Sequence, residues 1–277
     1  MPDVGLAPER YDEVHPVDFL SPPSAQYILG TDVIGRDMLS RIIYGARISM
    51  IVGLAGASLA VLVATIIGTL SGFIGGKFDM IVQRFVDAMM CFPSLFLYLT
   101  IMTLLGRGLL QVIMVIGIIR GIRNSRVVRS AVIGIKENVY FEAARAIGVP
   151  TRRTLIRHVL PNVMPVIIIG FTIVMGAMIL AEATLSFLGF GIPPPTPSWG
   201  GMLSGTGRQF MLQAPWMLLW PGLFLATVVY GINMLGDAVR DLIDPRMRGG
   251  LGRFGGAEKK RAKMMGKLEE DKPKSSA

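Results

Sequence analysis

Long charge-free apolar runs alternate with short polar stretches along this chain, and that alternation predicts helices that cross a membrane. Ile48–Gly76 holds no charge between Arg47 and Lys77, enough to span a bilayer with tilt. Gly68, Gly72 and Gly76 recur every fourth residue on it, which permits close approach of another helix. After a polar connection carrying Lys77, Asp79, Arg84 and Asp87, a second span is expected over about Ala88–Leu105, kinked at Pro93. Gly106-Arg107-Gly108 reads as a tight turn. A third span, from Leu109 to about Ile119, is too short to cross unless it runs on through Arg120 and Gly121. The fourth covers about Val159–Ala181, with Pro161 and Pro165 near its start where proline is tolerated, and the fifth lies within Met211–Gly236. The expected fold is therefore an all-α polytopic membrane protein with five transmembrane helices.

The longest polar interruption, Asn138 to Asn162, reads as two short helices with a sharp turn between them. Asn138 is an N-cap candidate, and Val139–Ile147 can place Tyr140, Ala144 and Ile147 on one stripe. Gly148 stands where a helix C-terminus favours a left-handed residue, and Pro150 stops the helix. Thr151 can cap a second helix with Arg152, Arg153 and Arg157 on its wet side and Leu155 and Val159 on its dry side, closed by Leu160-Pro161.

Composition supports the membrane reading: 52% of the 277 residues are hydrophobic and only 17% charged, with mean hydropathy +0.55. A soluble chain carries nearer a quarter charged residues. The net charge of +9 could suggest nucleic acid, but the basic residues flank apolar spans with no aromatic-rich polar surface among them. The positive-inside bias accounts for them better, and no nucleic-acid partner is expected. Arg120, Arg123, Arg126, Arg129, Lys136, Arg145, Arg152, Arg153 and Arg157 face only Glu137 and Glu142, so this region is expected in the cytoplasm, with Lys77–Asp87 and everything after Asp237. Gly106–Gly108, Ile192–Arg208 and the segment before Arg47 are then outside. Trp199, Trp216 and Trp220 suit an interfacial belt. The lone Cys91 excludes an intramolecular disulfide and is expected in core or lipid-facing packing.

Glu142-Ala143-Ala144, then Gly148, then Leu160-Pro161 resembles the EAA loop of ABC-importer permeases, with His158 in place of that motif's apolar residue. EAARAIG and RHVLPN are most similar to the dipeptide, oligopeptide and nickel branch. Thr31, Asp32, Gly35, Arg36, Asp37, Ser40, Arg41, Gly45 and Arg47 resemble the stretch before that branch's second membrane helix; an interfacial helix with snorkelling arginines is the plainer reading. Leu185-Ser186-Phe187-Leu188-Gly189 with Pro197-Ser198-Trp199-Gly200 resembles its external loop, and GDAVRDLIDPRMR its ending.

The resemblance implies a permease subunit for di- or oligopeptides whose Glu142, Ala143, Ala144, Gly148, Arg152, Leu160 and Pro161 dock a separate ATPase. Its partners would be a second homologous permease subunit, two ATPase subunits, an extracytoplasmic substrate-binding protein and membrane lipid. This chain would bind no cofactor; ATP and Mg would sit on the partner subunits, in the inner or plasma membrane of a prokaryote. The family has six spans, so the chain is expected to lack the first. The expected organisation is an external segment 1–47, a transmembrane domain 48–248 with the coupling loop 138–162, and a disordered basic tail 249–277. In that tail Lys259, Lys260, Arg261 and Lys263 could touch anionic lipid, although solvation alone explains them.

No catalytic constellation emerges. The two histidines, His15 and His158, lie far apart, and the chain holds no HExxH, nucleophile elbow or phosphate loop, so no enzyme activity is expected. Glu182 and Asp237 close spans, where a hydrated end-cap competes with a functional role. The alternative, a self-contained secondary carrier or channel, lacks an inverted repeat and paired broken spans.

Overall fold

A computed structural model describes residues 7–139, 141 and 149–243. Beyond the short 3-10 turn Pro16–Asp18, its helices are α1 (Met38–Ile74), α2 (Gly76–Cys91), α3 (Ser94–Leu105) and α4 (Leu109–Lys136). They are followed by α5 (Thr151–Phe187), the short α6 (Trp199–Leu203) and α7 (Gly205–Gln209), and α8 (Trp216–Ile243). Among the described residues the only β pairing is an isolated bridge between Thr31 and Asp37. Residues from Asp237 onward form a unit of their own, in which Asp237–Ile243 continues the helix.

Each apolar run expected to span falls on a helix, with revised bounds. α1, α5 and α8 are long and apolar enough to cross a membrane, and α2 with α3, bent by 91° at their junction, would make a fourth crossing. The second expected span is thus a break rather than a kink, because Pro93 precedes Ser94 with an extended backbone instead of continuing the helix. The polar connection Lys77–Asp87 is itself helical, within α2. The third expected span lies in α4, which does continue through Arg120 and Gly121, but its arginines keep it out of the group of apolar crossings. Most of the expected basic loop is therefore helix.

α1 starts ten residues earlier than the charge-free run suggests, because Asp37 caps it by accepting from the Ser40 amide at 2.7 Å. Its most extensive contact is with α4. Small residues make that possible: a Cβ on Gly121 would lie 2.7 Å from Ala60 O, and one on Gly68 would strike the α4 backbone at Ser125 O. Gly76, the third glycine of the expected ridge, faces open space and starts α2 instead.

The core lies between α1, α3, α4, α5 and α8, where Val52, Ala57, Met102, Ile116, Met178 and Ile179 are fully buried. One end of this bundle is capped by the N-terminal segment and the α5–α8 connection, around Leu29, Met38, Ile42, Trp199 and Met217. At the opposite end Ala64, Val128, Val132, Val159 and Val163 pack together.

At that opposite end α2 is fastened by charge. Arg129 donates from Nε and Nη2 to Asp79 Oδ1 and Oδ2 at 2.6 and 2.5 Å, and Ser71 Oγ donates to the same carboxylate. Lys136 Nζ caps α1 by donating to Gly72 O and Phe73 O at 3.2 and 2.9 Å, where the helix dipole favours a cation. Asp79→Asn removes the charge that holds Arg129 in a site where the two side chains are only 16% and 29% exposed. Charge-assisted hydrogen bonds of this kind contribute about 2 kcal/mol, so detergent-solubilised Asp79→Asn should melt roughly 4–8 °C lower. A double-mutant cycle with Arg129→Gln should show strong coupling; additive losses would mean the pair carries no shared stability.

Candidate functional site

Two places could carry function, one at each end of the bundle. At the end fastened by Asp79 and Arg129 lies the segment read as a coupling loop. Glu142, Ala143, Ala144 and Gly148 fall outside the described residues, as do the ending from Asp244 and the tail. The flanks of the loop are described. The Asn138 side-chain amide donates backward to Gly134 O and Ile135 O, both at 3.1 Å, and its backbone carbonyl accepts the Phe141 amide at 2.9 Å. Phe141 meets Phe73 edge-on, with ring centroids 6.2 Å apart, and packs against the Val159 cluster.

On the far side, Thr151 is the first helical residue rather than a cap, and its helix does not close at Leu160-Pro161. It passes through a π turn, Leu155–Val159, directly into α5. Pro161 has no N–H to offer the carbonyl four residues back, and Leu160 N reaches Leu155 O instead. The expected faces hold: Arg152, Arg153 and Arg157 are exposed, while Val159 is fully buried. Leu160 is half-buried and Pro161 exposed. The structure thus places Arg152, Leu160 and Pro161 on one continuous, apolar helix.

Four of the five basic residues of α4, Arg123, Arg126, Arg129 and Lys136, have partners, whereas Arg120 Nε is buried with none among the described residues. Arg123 Nη1 donates to Phe92 O at 3.0 Å and to Met89 O at 3.4 Å, and Arg126 pairs with Asp87. These contacts with Asp79–Arg129 were invisible in the sequence, because their partners lie 31 to 50 residues apart.

The capped end differs from expectation. Trp199 is not an interfacial anchor; it is 1% exposed and donates from Nε1 to Ile42 O at 3.1 Å. Trp216 likewise donates to Thr31 O at 3.1 Å. Glu182 is no hydrated end-cap, being fully buried with Ser186 Oγ donating to Oε1 at 2.6 Å. Arg41 does not snorkel: it is 9% exposed, beside Asp32. Tyr27 donates to Asp18 Oδ2 at 2.8 Å, and that bond above all pushes its pKa up to about 12. A cavity of about 260 Å³ opens here, lined in part by Asp32, Arg36, Arg41 and Arg107. Cys91 is exposed.

Residues 64–249 match the family described as binding-protein-dependent transport system inner membrane component. The dipeptide transport system permease protein of Alkalihalophilus pseudofirmus is 41% identical over 243 residues, covering 88% of this chain and 80% of that protein. The oligopeptide transport system permease protein of Haemophilus influenzae is 38% identical, covering 80% of this chain and 71% of that protein. An inward-facing structure of the MetNI methionine ABC transporter shares the fold, with TM-score 0.61 at 16% identity over 75% of this chain and 98% of that one. The chain therefore belongs to the family of binding-protein-dependent transport-system inner-membrane components, as a multi-pass permease subunit of an ABC importer and not as an enzyme.

Proposed function

We propose that this chain forms half of the membrane path of an importer for di- or oligopeptides in a prokaryotic plasma membrane. The observation that carries the substrate class is the 41% identity, across most of the chain, to a relative named as a dipeptide permease. In this reading a second homologous permease completes the path, two ATPase subunits bind ATP and Mg inside, and a binding protein delivers peptide outside. Glu142, Ala143, Ala144, Gly148, Arg152, Leu160 and Pro161 form the ATPase contact. The basic end is cytoplasmic, residues 1–47 and the α5–α8 connection are external, and residues 249–277 form a cytoplasmic tail.

The geometry supports a mechanical role for the basic end. Arg152 sits on the first turn of the same helix as Glu182, so a push on that turn moves α5. The π turn is a local irregularity of the kind found at functional bends. Asp79–Arg129 and Lys136 tie α2, α4 and the end of α1 together, so these helices move as a body. ATP-driven approach of the two ATPases then tilts the helices between outward-open and inward-open arrangements.

The test is uptake of a radiolabelled dipeptide into proteoliposomes. The full assembly with its binding protein should accumulate peptide only with ATP, and this chain without ATPase subunits should not. Uptake by the chain alone, driven by an ion gradient, would establish a secondary carrier instead.

A further inference from the structure

The cavity at the capped end holds more positive charge than its own carboxylate balances. Asp32 accepts from Arg36 Nε at 2.7 Å, with Arg36 Nη2 also 2.7 Å away and Arg41 Nε at 3.6 Å. The same carboxylate accepts the Ile34 and Arg36 amides, each at 3.0 Å, which fixes it in its turn. Arg41 also donates from Nη1 to Tyr11 O at 3.2 Å. One carboxylate therefore orients two guanidinium groups and leaves Arg36 Nη1 and Arg41 Nη2 without a partner among the described residues. Arg107, brought in by the α3–α4 turn, is exposed and makes no hydrogen bond or ion pair with any described residue. Ile192 and Met217 supply apolar lining.

We propose that this cavity binds the terminal carboxylate of a short peptide, with the terminal side chain against Ile192 and Met217. Planar guanidinium groups present paired donors that match a carboxylate. Burial of Arg41 and Asp32 keeps the donors oriented before a ligand arrives. A volume of about 260 Å³ lies just below the roughly 300–1,000 Å³ of pockets that enclose a whole drug-sized ligand. It therefore takes one end of a peptide and leaves the remainder free. This rests on the reading of the chain as a peptide permease and adds a site on the permease itself.

The experiment is equilibrium binding of tritiated trialanine to the permease–ATPase assembly in nanodiscs, without binding protein. Trialanine should bind saturably, and trialanine amide at least tenfold more weakly. Arg107→Gln, with an unchanged melting temperature, should weaken trialanine about tenfold, the factor that 1.4 kcal/mol represents, and leave the amide unaffected. Equal binding of acid and amide, or an unaltered affinity in Arg107→Gln, overturns the proposal. So does competition by acetate or inorganic phosphate as effective as that by trialanine, which would make the cavity a general anion site. ATP-dependent dipeptide uptake by the same assembly, once its binding protein is added, separates the two readings. Uptake without trialanine binding sinks this site and spares the function; absence of uptake sinks the function itself.

Discussion

Gly68→Leu should cost about 3 kcal/mol or more and sharply reduce the yield of folded protein, because it forces α1 away from α4. A Cβ at this position would sit 2.8 Å from Val128 Cβ and 2.9 Å from the Arg129 amide, as well as striking Ser125 O. Overpacking a core typically costs about 1–3 kcal/mol when side chains can shift. Here the obstacle is backbone, so the relief is separation of the two helices along their whole contact. That separation would also unload Gly72 against Arg129 O and Gly121 against Ala60 O, and would stretch the Lys136 cap on Gly72 and Phe73. Gly134→Leu is the control on α4: its Cβ would meet nothing within 4 Å, so stability should hold or rise with helix propensity. Thermal unfolding in detergent and yield of monodisperse protein report both variants. A Gly68→Leu protein as stable as wild type would mean that α1 and α4 do not approach this closely.

The second large effect is functional. Glu142→Lys and Gly148→Val should each reduce ATP-dependent uptake at least tenfold while leaving membrane insertion intact. The described flanks of the segment carrying them are packed, Phe141 against Phe73 on one side and buried Val159 in the third turn of α5 on the other. The beginning of α5 that follows it exposes Arg152, Arg153 and Arg157. Lysine at 142 reverses the sign of the one acidic residue in the Glu142–Gly148 motif. Valine at 148 disfavours the left-handed backbone expected after the first short helix, at a cost of about 1 kcal/mol or more. Peptide uptake and binding-protein-stimulated ATP hydrolysis, both normalised to inserted permease, measure the result. Wild-type values in both variants would reduce the segment to a connector; loss of inserted protein would give it a folding role instead.

Helical class and the spans on α1, α5 and α8 were legible because apolar runs report their own length and lack of charge, whereas the span expected from Leu109 falls on an arginine-bearing helix outside that group. Boundaries were less so. The start of α1 depends on the Asp37 cap, and the fusion of Thr151–Thr154 with α5 depends on how the backbone negotiates Pro161. A charge-free window registers neither. The arginines of α4 looked like topology signals, and nothing local tells that Arg129 finds Asp79 fifty positions away. Trp199 misled for the same reason: its partner, Ile42 O, is 157 residues distant, so an interfacial tryptophan and a core anchor look alike in sequence. The EAA spacing was readable as a motif.

The most direct measurement is disulfide trapping between this chain and its ATPase subunit, from positions at opposite ends of the bundle. In a Cys91→Ala background, Arg152→Cys places a thiol on the exposed first turn of α5, and Leu212→Cys places one on the capped end, where that side chain is 89% exposed. With cysteines introduced across the ATPase surface, Arg152→Cys should form a cross-linked product in functional membranes. Leu212→Cys should form none and should instead react with a membrane-impermeant thiol reagent added to intact cells. Cross-linking from position 212 but not 152, or labelling of 152 from outside, would contradict the account.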